Sequence, residues 1–233
     1  MTVAEQIAYR FHLAHGVEEI VLNFDPATFA LAGMSAAGLP AWCALDFHKC
    51  PHCPLQDETD PVCPFAGALA GLVGRFDTFY SYDEAVIEVV TRNRTVVAKR
   101  SLQQGVASLM GLVGATCGCP HLAYLRPMAR FHLPFSRDEE TLYRVFSMHV
   151  LGCYLGDGPC PPPDVIWAGL RDHAQRVGET NQHMAKRMRA AFERDVAVNA
   201  VIILDSFAQA VPIIIERGLD ELREMFRPEK GLG

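Results

Sequence analysis

The sequence has no excess of basic residues. Among 233 residues, 21 Lys and Arg face 27 Asp and Glu, which leaves a net charge of −6 with histidine neutral. Nucleic acids and anionic membranes attract proteins through basic surfaces. We therefore expect no nucleic acid and no membrane as a partner, while a protein partner or a homo-oligomer stays open. Half of the residues are apolar, as in an ordinary globular protein with enough chain for a sizeable core.

The chain also lacks an apolar run behind a basic start at its N-terminus, so no secretory signal is expected. The strongest membrane candidate covers residues 196–215. Asn199, Asp205 and Gln209 interrupt it, and a carboxylate near its centre is costly in lipid. We interpret this segment as a buried core helix. The expected location is the cytoplasm, where thiols are kept reduced.

Several common motifs are missing. No P-loop, GxGxxG, GxSxG or HExxH pattern occurs, so nucleotide-binding, dinucleotide-binding, α/β-hydrolase and zincin classes lose their usual sequence support. There is no internal repeat and no low-complexity tract. The sequence therefore indicates no particular reaction.

The hydrophobic pattern changes near the middle of the chain. Four strands and one short helix are predicted in the first part, the strands over 7–13, 19–24, 41–47 and 85–91 and the helix over 64–76. The later part favours helices, over 99–117, 136–155, from Asp164, 179–210 and 212–225, with a capping box of Ser136 and Glu139.

This order of elements predicts an α+β fold. A small antiparallel β-sheet from the N-terminal half packs on a C-terminal helical bundle. We expect a single domain over residues 1–233. The alternative is a sub-division into a sheet-rich half, 1–95, and a helical half, 96–233, although nothing near residue 95 resembles a flexible linker.

Eight cysteines carry the chemical signal. This chain is too long, and too poor in cysteine, for a disulfide scaffold, which favours metal ligation, catalysis or burial. Cys50 and Cys53 form a C-x2-C pair, in which a tight turn brings two sulfurs to one side. Cys63 follows after nine further residues and can supply a third thiolate. The spacing predicts a metal site with one ligand still to be found.

Cys119 is the preferred fourth ligand. It lies between two predicted helices, and a proline follows it, as a proline follows each of the other three. Proline after a ligand fixes φ and turns the chain away from the ion. Cys117 and His121 are the substitutes.

The metal itself stays open between an iron–sulfur cluster and Zn²⁺. A zinc knuckle usually has a glycine-like residue after its second cysteine, and Pro54 provides neither a positive φ nor an N–H donor. The C-x2-C-x9-C spacing, however, matches none of the common ferredoxin spacings. A cluster implies redox sensing or electron transfer, whereas zinc implies a structural role.

Three other interpretations compete. Cys50 and Cys53 can form a thioredoxin-type dithiol if they open a helix. A thiol enzyme would use Cys119 or Cys53 as nucleophile and a histidine, His121 or His132, as base. A metal-free interaction module would present the helix over 101–117 to a partner.

Other cysteines and basic residues have simpler explanations. Cys43 and Cys153 are interpreted as core residues, even though His149 and Cys153 share a helical face. Arg126, Arg130 and His132 can bind an anion or a substrate carboxylate, but pairing with nearby acidic residues is the more ordinary role.

Several short motifs taken together resemble an uncharacterised bacterial family, a domain of unknown function that covers most of the chain. They are a CPHCP and a GCP cysteine motif, and the segments 49–55, 63–64, 101–112, 118–120 and 126–135. The resemblance implies no activity and assigns no site residue.

Overall fold

The computed structural model describes residues 5–14, 16–33, 38–217 and 219–227, and these have an α+β fold. Five strands form one sheet in the order β3-β2-β1-β4-β5, and all paired neighbours are antiparallel. The strands are β1 (Glu5–Leu13), β2 (Gly16–Phe24), β3 (Leu31–Ala32), β4 (Glu84–Val90) and β5 (Thr95–Ser101). The predicted fold class is confirmed.

The sheet has one apolar and one charged face, as its alternating sequence dictates. Tyr9 and Phe11 of the central strand β1 are fully buried. On the other face, Arg10 Nε lies 2.7 Å from Glu19 on β2, and its guanidinium lies 3.7 Å from Glu88 on β4. The apolar face therefore receives the helices.

Seven helices follow or interrupt the strands. They are α1 (Pro64–Val73), α2 (Leu102–Thr116), α3 (Arg126–Arg130), α4 (Asp138–Leu155), α5 (Pro163–Ala191), α6 (Val196–Glu216) and α7 (Asp220–Glu224). α2 lies close against the sheet. A Cβ added at Gly105 would collide with Ile87 and come within 2.8 Å of Phe11. α6 packs on α2 and α5.

Two groups of buried side chains hold these layers together. The larger one joins the inner face of the sheet to α1, α2 and the facing parts of α5 and α6. The smaller one lies between α4, α5 and α6 and includes Phe146, Leu170 and Val211. Because α5 and α6 contribute to both, the two groups are continuous through these helices.

The predicted strand over 41–47 is wrong. Residues Ala41–Cys43 form a short 3-10 turn, and only an isolated bridge between Ala44 and Val62 follows. β5 was not predicted, and the helix expected from residue 99 begins at Leu102. Since β5 starts at Thr95, the sheet extends past the proposed boundary between the halves 1–95 and 96–233.

Helix boundaries in the second half also differ from expectation. α5 is continuous over 163–191, and α6 continues through Pro212 instead of ending before it. The capping box at the start of α4 lies one residue later than predicted, because the Arg137 N–H donates to Glu140 Oε2. Ser136 instead contacts the Thr141 hydroxyl.

α6 is long and apolar enough to cross a membrane by length and composition, and 33% of its most apolar window is buried in the fold. Its contacts with α2 and α5 are those of a helix packed within a protein. The structure is thus compatible with a soluble protein.

Candidate metal centre

Two of the four predicted ligands, Cys50 and Cys119, are affected by the charges of the other predicted ligands. The pKa of the Cys50 thiol is raised to about 12, first by burial and then by the negative charges of Cys63, Cys119 and Cys53 as thiolates. The pKa of Cys119 is raised to about 11, again mainly by burial, with Cys63 and Cys53 contributing. The fold therefore brings together cysteines from both halves of the sequence.

The loop that carries the first three cysteines is fixed at both ends. Cys53 N–H donates to the Cys50 carbonyl over 3.1 Å, which closes the expected tight turn. Cys63 N–H donates to the Cys43 carbonyl over 2.9 Å, and Leu45 N–H donates to that of Pro61 over 3.0 Å. Cys63 is the residue directly before α1 and lies at the N-terminal end of that helix.

Cys119 lies in the turn that follows α2. Gly118 has a φ of +92°, a left-handed conformation that suits glycine. The backbone N–H groups of Leu122 and His121 lower the pKa of Cys119 against the larger effect of burial. Amide donors to sulfur stabilise the thiolate form, which is the form that ligates metals.

A direct hydrogen bond connects this turn with the first cysteine loop. The Nε2–H of His121 donates to the His52 carbonyl over 2.7 Å, between Cys50 and Cys53 in sequence. His121, a substitute ligand in the sequence analysis, thus has a bridging role between the two segments.

Three side chains of α5 hold the cysteine loop from the other side. They lie four residues apart along one face of the helix. Glu179 lies 3.2 Å from the His52 ring, and the Nδ1–H of His183 donates to the His48 carbonyl over 3.1 Å. Arg187 donates to the carbonyls of residues 42, 44 and 45 at 2.6–2.9 Å. Sequence reasoning missed this stripe, although its i, i+4, i+8 spacing of polar residues was visible.

Arg187 is the unusual member of that stripe. It is 2% exposed, and it forms no ion pair with a carboxylate among the described residues. Its positive charge acts to lower the pKa of Cys50 and of Cys43, against burial, which raises both. A buried cation is costly unless an anion compensates it. The thiols beside it are the groups that can become anionic.

The side chains do not yet surround one point. In the described ranges, no three His, Cys, Asp or Glu side chains are arranged around a common ion position. Cys50, Cys53 and Cys63 are only partly buried. Ligation of one ion by these sulfurs therefore requires them to move from their positions in this structure.

The remaining cysteines have other surroundings. Cys43 is 1% exposed and its thiol contacts the Ala66 carbonyl. Cys117, the other substitute ligand, is 5% exposed; its thiol lies 3.2 Å from the Gly114 carbonyl, and burial raises its pKa. Cys153 lies 3.8 Å from His149, whose ring nitrogens already contact the Tyr124 hydroxyl and the Ile166 carbonyl.

The other predicted arrangements differ from expectation in detail. Cys50 and Cys53 do not open a helix, since α1 begins only at Pro64. Arg130 donates to the carbonyls of Pro26 and Ala27 rather than to an acidic side chain. The ring of His132 binds the Tyr9 hydroxyl at 2.6 Å.

Comparison with known families gives one match. Residues 7–227 match the sequence model of a family described as a domain of unknown function, DUF6901, and the chain belongs to that family. The resemblance to an uncharacterised family is thereby confirmed. No curated protein and no solved structure matches the chain.

Proposed function

We propose that this member of a family of unknown function is a cytoplasmic metal-binding protein in which Cys50, Cys53, Cys63 and Cys119 hold an iron–sulfur cluster or Zn²⁺. Neither a nucleic acid nor a membrane is part of this proposal. The observation that carries it is the buried cation of Arg187, which has no carboxylate partner among the described residues and acts on the pKa of nearby thiols.

The charge of such a centre fits its surroundings. Four thiolates exceed the two positive charges of Zn²⁺, and a thiolate-ligated cluster is anionic as well, so either centre carries net negative charge. Arg187 then faces an anion instead of being buried without one, which reduces the free-energy cost of its burial. The backbone N–H groups of Leu122 and His121 favour the same thiolate state at Cys119.

A metal at this position has a mechanical consequence. It joins the loop before α1 to the turn after α2, which are also connected by the His121–His52 hydrogen bond. Metal-binding free energy becomes folding free energy when the ligands come from separate segments. Zinc at this place is structural, while a cluster adds electron transfer or redox sensing.

The test is metal analysis with a visible absorbance spectrum on anaerobically purified, full-length protein. Broad brown absorbance indicates the cluster, and about one zinc per chain indicates the structural site. C50S and C119S are expected to lose the metal. C160S is the matched control, because Cys160 is exposed and lies outside the group. A folded, metal-free wild type, or wild-type metal content in C50S, contradicts the proposal.

The alternatives receive less support. An activated thiol nucleophile needs a lowered pKa, whereas burial raises the pKa of Cys119. Of the two proposed bases, His121 and His132 already bond to the His52 carbonyl and the Tyr9 hydroxyl. An interaction surface on α2 is disfavoured because most of that helix is buried by its own chain.

A further inference from the structure

A second site is a cavity of about 570 Å³ between α2, α3, α4, α5 and α6. Its walls are mainly apolar and include Met110, Leu170, Val177, Leu204 and Phe207. This volume lies in the range of small-molecule binding sites. The exposed residues Arg100, Gln104 and Asp138 also line it and therefore mark its opening to solvent.

One wall carries a histidine held in a fixed orientation. His132 Nε2 lies 2.6 Å from the Tyr9 hydroxyl, which is in turn 2.9 Å from Ser108 Oγ. We assign Tyr9 as the donor to Nε2, because the short distance is typical of an O–H donor, and this assignment places the ring proton on Nδ1. No hydrogen bond involves Nδ1 in the described part of the chain. His132 thus offers an N–H to a cavity that it lines.

Positive charge collects around this histidine. Arg144 and Arg100 line the cavity, and the charges of Arg144 and Arg94 contribute, after burial, to lowering the pKa of His132. None of these three arginines is within ion-pair distance of a carboxylate in the described ranges. Glu140 acts on Arg144 from farther away and accepts a hydrogen bond from Arg137 N–H. In a chain of net charge −6, such a group is a candidate anion site.

A side-chain amide also lines the cavity. Asn181 on α5 is 3% exposed, lines the cavity, and forms no side-chain hydrogen bond among the described residues. Cavities that stay empty in proteins are apolar, whereas buried polar groups require a partner. The Asn181 amide can therefore bond to water or to the polar atoms of a ligand in this cavity.

We propose that the cavity binds an amphipathic carboxylate of the fatty-acid class. The carboxylate lies against Arg144 and the Nδ1–H of His132, and the hydrocarbon chain lies against the walls formed by Met110, Leu170 and Leu204. A charge-assisted pair at one end and an apolar volume behind it select this ligand shape over a simple hydrocarbon. The inference is independent of the metal centre.

The test is fluorescence titration of delipidated wild-type protein with cis-parinaric acid, followed by displacement with palmitate or with 1-hexadecanol. We expect one site per chain, and displacement by palmitate at about tenfold lower concentration than by the alcohol, since the alcohol lacks the charge. Weaker binding by about tenfold is expected for R144M. R137Q is the control, because Arg137 is exposed and does not line the cavity.

Arg144 also donates to the carbonyls of Met128 and Phe131, so its removal can disturb folding. Two further variants keep the test decisive. R100Q removes charge at the opening and is expected to weaken palmitate binding several-fold, while A210F fills part of the cavity and is expected to reduce binding of both ligands. The proposal is overturned if parinaric acid does not bind, if the alcohol competes as well as palmitate, or if a folded A210F variant binds like wild type.

Discussion

Arg187 is the residue on which the cysteine loop depends most. It donates to the backbone carbonyls of Trp42, Ala44 and Leu45, in the segment before the loop. Its replacement by methionine keeps similar volume and removes the donors and the charge. We expect R187M to lower the free energy of unfolding by about 3 kcal/mol and to reduce metal content.

Urea unfolding measures the first effect and metal analysis the second. R189M is the matched control, because Arg189 lies two residues away on α5, is exposed, and takes part in no ion pair among the described residues. If R187M unfolds at the wild-type urea concentration, the three hydrogen bonds do not hold the loop.

His132 makes stability depend on pH. Burial, with the charges of Arg144 and Arg94, lowers its pKa to about 3, against an ordinary value near 6.5 in the unfolded chain. The folded state then disfavours the proton, so stability is full above pH 6.5 and falls as the pH decreases from there toward 3. Between pH 7 and 5 the contribution of this group is a loss of about 2 kcal/mol.

Urea unfolding of wild type and H132N at both pH values checks this. The asparagine does not titrate, so H132N should be less stable at pH 7 but should lose about 2 kcal/mol less than wild type on going to pH 5. Equal losses in the two proteins would assign the pH dependence to other groups.

At the scale of elements, local sequence patterns predicted the strands and helices whose formation depends mainly on neighbouring residues. Alternation of apolar and polar residues identified β1, and β-branched and aromatic residues identified β2 as its hairpin partner. The short helix predicted over 64–76 contains α1.

The segment 41–47 is apolar enough for a strand, but it pairs only through the isolated bridge between Ala44 and Val62. Arg187 of α5 binds three of its carbonyls instead. Residues 99–101 at the end of β5 were assigned to the following helix, because no local pattern there reveals their pairing with β4.

Part of the cysteine motif could be predicted because it is local in the sequence. C-x2-C spacing and the prolines after each ligand are local, so they were visible in the sequence. The turn that carries Cys119 is placed beside the loop by the packing of α2. Arg187 lies more than 140 residues from the carbonyls that it binds. Contacts of that sequence separation depend on tertiary packing that no local pattern encodes.

The fit of α2 against the sheet gives a prediction at this scale. A Cβ at Gly105 would collide with Ile87 and come within 2.8 Å of Phe11. We expect G105A to lose about 1–2 kcal/mol, because overpacking exceeds the gain in helix propensity. G152A is the control, since Gly152 in α4 has open space around it, and should gain about 0.5 kcal/mol. A stabilised G105A variant would mean that α2 lies farther from the sheet.

For the whole molecule, the continuity of the two buried groups bears on domain organisation. Met184 and Val201 belong to the larger group, while Leu170 and Val211 on the same two helices belong to the smaller one. If either group unfolds, α5 and α6 are interrupted, and both helices also contribute to the other group. A single cooperative domain, which stays a prediction, is the expected consequence.

The two tryptophans report on the two groups separately. Trp42 packs on Phe192 in the larger group, and Trp167 packs on Phe146 in the smaller one. In W42F and W167F, one tryptophan remains in each protein, and its fluorescence should change at the same urea concentration as the far-ultraviolet circular dichroism of that variant. If the Trp167 signal were lost at lower urea than the dichroism, the helical end would be a separate unit, because α5 and α6 would then unfold in two steps instead of one.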